Sequence, residues 1–203
     1  MKNILDVNIN WLGDAVFSTP VFKELKSKYP HAKITSHCVP RVEKVLQFCP
    51  FIDDFIVIDE KGKHFWPWDK WRLIQDIRKQ SFDIVFLLHR SMTRGLIAYL
   101  ARIPIRVGYC KVKRLLTHPT EFIDADVHRS DVYLKVLEDY GLKIQDRSCQ
   151  LNLNPEDVQS LELILKDNGI SAQDKVIVLH TSGNWDLKRW SQVNFARLIE
   201  KIY

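Results

Sequence analysis

Val7-Asn8-Ile9-Asn10-Trp11-Leu12-Gly13-Asp14-Ala15-Val16-Phe17-Ser18-Thr19-Pro20 is the stretch whose reading decides the fold. It continues an apolar segment, and Ile4, Leu5, Val7 and Ile9 together suit a strand covered on both faces by helices. A glycine then turns the chain and an acid lands at the start of a helix, where a β/α sheet keeps its ligands. Gly13 permits a backbone conformation or a close approach that a side chain would hinder. On residue type alone Asp14 reads two ways, as an acid that offsets the positive end of a helix or as a catalytic carboxylate. The dinucleotide pattern G-x-G-x-x-G is absent after this strand.

Outward from this stretch, strand and helix signals alternate. Phe17, Val21, Phe22 and Leu25 recur at helical spacing through about Tyr29, and Pro20, which removes a helical hydrogen bond, predicts a kink or restart. Residues 32–39 read as a second strand, 42–48 as a short helix and 55–58 as a third strand. The apolar run Ile84-Val85-Phe86-Leu87-Leu88 has the character of a central parallel strand. His89 and Arg90 follow at its carboxyl end, so Arg90 is either an anion contact or an ordinary surface arginine. A helix over 92–102, a strand over 106–109 and a helix over 131–140 extend the series.

Asn154-Pro155-Glu156-Asp157 marks another helix start, with Val158, Leu161 and Leu165 as its buried stripe and Gly169 as its stop. Ser171 to Lys175 reads as a linker between domains and Val176 to His180 as the start of a new sheet. Thr181, Ser182 and Lys188 then fall in a strand-to-helix loop, where hydroxyls and a cation can meet a diphosphate, although the Walker spacing is missing. Ser191 is placed to cap a helix carrying Phe195, Leu198, Ile199 and Ile202 on one face.

Between Asp59 and Gln80, Lys61, Lys63 and His64 are followed by Trp66, Trp68 and Trp71. Cations interleaved with indoles suit a membrane headgroup region or an anionic acceptor. The plainer reading is a helix over 69–79 that packs Trp71, Ile74 and Ile77 on the sheet. Lys111, Lys113, Arg114 and, further on, His118, His128 and Arg129 are a solvated face or a phosphate contact.

A chain of 203 residues, 46% hydrophobic and 27% charged, can build one good core or two small ones. Four cysteines without C-x-x-C spacing suggest neither a zinc site nor a disulfide framework, and no metal or cofactor is expected. Asp6, Asn8 and Asn10 interrupt what a signal peptide would need as an apolar core, and no apolar run approaches the length of a spanning helix. A net charge of +5 favours anionic partners, but no nucleic-acid recognition motif is present, so nucleic acid is not among them.

The strand with Leu12-Gly13-Asp14 and Thr19-Pro20, matched late in the chain by Thr181-Ser182-Gly183-Asn184-Trp185-Asp186-Leu187-Lys188-Arg189-Trp190, resembles glycosyltransferase family 9, the ADP-heptose:lipopolysaccharide heptosyltransferases. The resemblance implies an α/β fold of the GT-B type. A Rossmann-like acceptor-side domain would occupy 1–170, and 171–203 would be a linker and the first β/α unit of a donor-binding domain, the family's second domain being incomplete here. It implies transfer of heptose from ADP-heptose, or another nucleotide sugar, to a phosphorylated lipid-linked saccharide of the lipopolysaccharide inner core, with inversion. Asp14 would be the general base, Thr181, Ser182 and Lys188 the donor-phosphate contacts, and Gly13, Lys61, Lys63 and Arg90 the acceptor side. The expected location is the cytoplasm, with peripheral contact to the inner face of the inner membrane. The alternative is a shortened, catalytically silent α/β domain that keeps at most acceptor or weak nucleotide binding.

Overall fold

The computed structural model describes residues 1–59, 62, 66–123, 126–171, 173–183 and 189–202. Two compact units result, 1–154 and 155–203, so the helix that begins at Pro155 groups with the second unit, ahead of the expected 170/171 division.

The first unit is built on one parallel sheet. Its strands are β1 (Asn3–Val7), β2 (Lys33–Cys38), β3 (Asp54–Val57), β4 (Ile84–Leu87), β5 (Ile105–Gly108) and β6 (His118–Pro119), in the spatial order β3-β2-β1-β4-β5-β6. The chain winds outward from β1 in one direction and from β4 in the other. The place where the winding reverses, between β1 and β4, is where open α/β sheets leave a crevice at the carboxyl ends of their strands.

Among the described residues six α-helices belong to this unit: α1 (Leu12–Phe17), α2 (Thr19–Lys28), α3 (Pro40–Leu46), α4 (Pro67–Lys79), α5 (Met92–Leu100) and α6 (Arg129–Asp139). Alternation along β1 explains how they cover both faces. Ile4 joins Ile34, Ile84, Phe86 and Val107 in a core with Phe22 and Leu25 of α2, Val42 and Leu46 of α3, and Leu134 and Leu137 of α6. Leu5 and Val7 point the other way, to Val85 and Leu87, with Ile74 and Ile77 of α4 and Ile97 and Ala98 of α5. The restart anticipated at Pro20 falls at Ser18: α1 ends there, α2 begins with Thr19-Pro20, and Ser18 Oγ donates to the Ala15 carbonyl at 2.7 Å.

Three local expectations are corrected. Trp71 does not pack on the sheet but is 54% exposed, because it lies about 120° around α4 from Ile77, which forms the buried line with Leu73 and Ile74. In the second unit, α7 (Pro155–Asp167) carries Val158 and Leu161 exposed and Leu165 half-buried, so its apolar stripe is not a buried one. Residues 176–180 form no strand. A strand needs a neighbour for its N–H and C=O groups, and no strand is present among the described residues of this unit. The last helix, α8 (Gln192–Ile202), starts as expected, with Ser191 Oγ accepting from the Asn194 N–H at 3.3 Å.

Candidate functional site

After Val7 the chain leaves the carboxyl edge of the sheet through Asn8, Ile9 and Asn10 and enters α1. Buried polar groups hold that turn. The Asn8 N–H donates to the His37 carbonyl at 3.0 Å, its Nδ2 donates to Ser18 Oγ at 3.1 Å, and its Oδ1 accepts from the Ile9 N–H at 2.7 Å. Arg94 of α5, only 1% exposed, donates to the Asn8 carbonyl and to Asn10 Oδ1, both at 2.6 Å. A guanidinium is tolerated in a protein interior only with such partners, so Arg94 and the turn hold one another in place. From the other side, Arg41 Nε donates to the Asn10 carbonyl at 2.6 Å.

This buried charge reaches its neighbours. Burial raises the Asp6 carboxyl well above its usual range, against the opposing pull of the Ser36 hydroxyl and the Arg94 charge. Burial first and Arg94 second push His89 down to about 4, and its Nδ1 accepts from the Ser91 N–H at 3.1 Å. The His89 imidazole is therefore neutral near pH 7, a support of the edge rather than a charged ligand.

Asp14 is the third residue of α1 and half-buried, at the carboxyl edge as the strand-glycine-acid order requires. Its Oδ1 accepts a hydrogen bond of 2.8 Å from the hydroxyl of Tyr133 on α6. Burial, then the bond to Asp14 and its negative charge, push the Tyr133 phenol well above the ordinary tyrosine range, with Arg129 opposing. Gly13 departs from the expected reason for a glycine: its φ is not left-handed, and an added Cβ would meet no atom within 4 Å. What it leaves is open surface beside Asp14.

Arg90 follows β4 on the same edge. Its guanidinium lies 4.3 Å from the centre of the Phe122 ring, and with Lys111, Lys113 and Thr120 it lines a pocket of about 320 Å³ above the ends of β5 and β6. Thr120 is 5% exposed, and its Oγ1 has no hydrogen-bond partner, which is unusual for a buried hydroxyl. A somewhat larger hollow of about 380 Å³ opens at the other edge of the sheet, beside Tyr99, Arg102 and Arg106. The Arg106 guanidinium is spent on the Leu115 and Ile103 carbonyls at 2.7 and 2.5 Å, and among the described residues no unpaired buried polar group marks that hollow.

In the second unit Thr181 and Ser182 are exposed, Ser182 Oγ lies 3.5 Å from His180 Nε2, and Arg189 Nε donates to the Gly183 carbonyl at 2.5 Å. Lys61, Lys63 and Lys188 lie outside the described residues. Asp14, Gly13 and Arg90 thus share one edge of the first unit, and the candidate phosphate hydroxyls belong to the other unit. Sequence reasoning missed Arg94, Thr120 and Tyr133. Arg94 did leave a signal, as the one charge in the otherwise uncharged Met92–Leu100 helix. Tyr133 left none, since the bond to Asp14 spans 119 residues.

The doubly wound parallel sheet in this strand order is the architecture of the N-terminal domain of GT-B glycosyltransferases, the class to which the matching solved structures belong. Residues 70–203, well over half of the chain, match glycosyltransferase family 9 (heptosyltransferase), and the chain belongs to that family. It is 23% identical over 207 residues to lipopolysaccharide heptosyltransferase 2 of Salmonella typhimurium, covering 98% of this chain and 60% of that protein. The crystal structure of a family 9 glycosyl transferase from Veillonella parvula superimposes with a TM-score of 0.90 at 25% identity, over 99% of this chain and 60% of that one. ADP-heptose lipopolysaccharide heptosyltransferase II of Escherichia coli superimposes with a TM-score of 0.74 at 18% identity, over all of this chain and 61% of that one. The chain therefore spans about 60% of the length of the relatives it matches.

Proposed function

We propose that this chain is the acceptor-side part of a transferase that moves heptose from ADP-heptose to a phosphorylated, lipid-linked inner-core saccharide. The observation that carries the proposal is the placement of Asp14 and Arg90 after β1 and β4, the two strands that flank the reversal of the sheet. In the reaction, an acceptor hydroxyl oxygen attacks the anomeric carbon as the bond from that carbon to the diphosphate oxygen breaks. Asp14 takes the hydroxyl proton, ADP leaves with the bonding pair, and the configuration inverts in the single displacement. Thr181, Ser182 and Lys188 meet the donor diphosphate. Open space over Gly13 admits the acceptor, and Lys61, Lys63 and Arg90 meet its anionic groups, with Lys111 extending the Arg90 contact.

Contact with the cytoplasmic face of the inner membrane is part of the same proposal. Trp66 and Trp68 are exposed and stacked, with ring centres 5.0 Å apart, and the exposed Trp71 follows one turn on, a set suited to the headgroup region. Among the described residues no helix is long and apolar enough to cross a membrane.

The test is transfer itself, with the chain extended to the length of its relatives and given ADP-heptose and a heptose-deficient inner core. ADP released in step with a heptosylated acceptor of inverted anomeric configuration is the expected result. Release of ADP to water alone, retention of configuration, or equal use of a UDP-sugar would overturn the assignment.

A further inference from the structure

We infer that Tyr133 is a positioning residue for Asp14: its hydroxyl fixes one carboxylate oxygen so that the other is presented to the acceptor hydroxyl. The inference rests on the reading of Asp14 as the general base.

Asp14 stands in a helix of six residues whose first position has no side-chain cap, and it is half-open to solvent. Such a carboxylate samples several rotamers unless something holds it. The Tyr133 hydroxyl, at 2.8 Å from Oδ1, is the one side-chain donor to Asp14 among the described residues, and Oδ2 is left without a partner. A carboxylate held by one oxygen and free at the other is the arrangement that proton abstraction in a fixed direction requires.

The support is itself rigid. Tyr133 is 5% exposed and its ring belongs to the core between α6 and the sheet. The α6 backbone is tied down one residue earlier, where Tyr109 donates to the Val132 carbonyl at 2.6 Å, and its first turn is capped by His128. Arg147 joins Asp131 and Glu138 on the same helix, at 2.7 and 2.5 Å. The phenol remains protonated across the physiological range because burial and Asp14 both oppose its ionisation, so it stays a donor. What the bond supplies is direction: it fixes one carboxylate oxygen and so orients the other.

The experiment is a double-mutant cycle of Tyr133→Phe and Asp14→Ala in the chain extended to its relatives' length. Tyr133→Phe keeps the buried ring and removes only the hydroxyl. It should lower kcat about tenfold, leave both KM values and the melting temperature unchanged, and cost nothing further in the Asp14→Ala background. If Asp14→Ala turns over at the normal rate, the reading of Asp14 falls. If Asp14→Ala is slow but Tyr133→Phe is not, or if the Tyr133→Phe loss persists undiminished without Asp14, the positioning role falls while Asp14 stands.

Discussion

Asp14→Asn, in the chain extended to its relatives' length, should lower turnover by about 10²–10⁴-fold with KM for the nucleotide sugar essentially unchanged. The amide has the same shape, and its oxygen can still accept the Tyr133 hydroxyl that now bonds Oδ1. It cannot take a proton at neutral pH, so only the interaction that develops in the transition state is lost, about 3–5 kcal/mol of barrier. The half-buried position at the start of α1 carries little of the core, and the melting temperature should not move. Steady-state kinetics at saturating acceptor decides the matter. A normal rate, or a loss confined to KM, would remove Asp14 from the chemistry.

Gly108→Ala should be the most damaging small substitution in the first unit. Gly108 ends β5 with φ at +124°, a conformation closed to L side chains, and an added Cβ would sit 2.3 Å from the Leu87 carbonyl oxygen and 2.9 Å from the Leu87 nitrogen. Both obstacles are backbone atoms of β4, a strand buried on both faces, so neither can yield cheaply. Backbone strain and overpacking each cost about 1–3 kcal/mol, for a total of about 4 kcal/mol. For a chain of this size that lowers the melting temperature by roughly 10 °C. Glycine here also lets β5 lie against β4 where Tyr109 and Cys110 turn toward the Arg90 pocket, so the same change should disturb the carboxyl edge. Thermal unfolding of the 203-residue variant is the measurement, and a melting temperature within a few degrees of the parent would show that β4 gives way.

The parts of the architecture that were legible in the sequence are those dictated by local chemistry. Ile84 to Leu88 announced a doubly covered strand because a parallel sheet buries both faces, and β4 lies between β1 and β5. Pro20 announced the restart at Ser18 because proline fits the first turn of a helix and not its interior. Asp14 and Arg90 were placed on the carboxyl edge by strand direction alone.

What escaped depends on contacts distant in sequence. Tyr133 had the look of a core residue of α6, which it is, and only tertiary packing aims its hydroxyl at Asp14. Thr120 was invisible among polar loop residues until burial left its hydroxyl unpaired. Trp71 misled because its spacing from Ile74 matches a helix face, while the buried line of α4 runs through Leu73, Ile74 and Ile77. Residues 176–180 have a strand's composition, but among the described residues of their unit no neighbouring strand completes their hydrogen bonds.

Amide chemical-shift mapping of the 203-residue chain tests most directly whether the carboxyl edge around Asp14 receives an anionic saccharide, as we propose. Titration with an inner-core oligosaccharide should perturb Gly13, Asp14, Arg90, Lys111 and Thr120 together, with Tyr133 reporting through its bond to Asp14. Perturbation confined to the opposite hollow, at Tyr99, Arg102 and Arg106, would contradict the account.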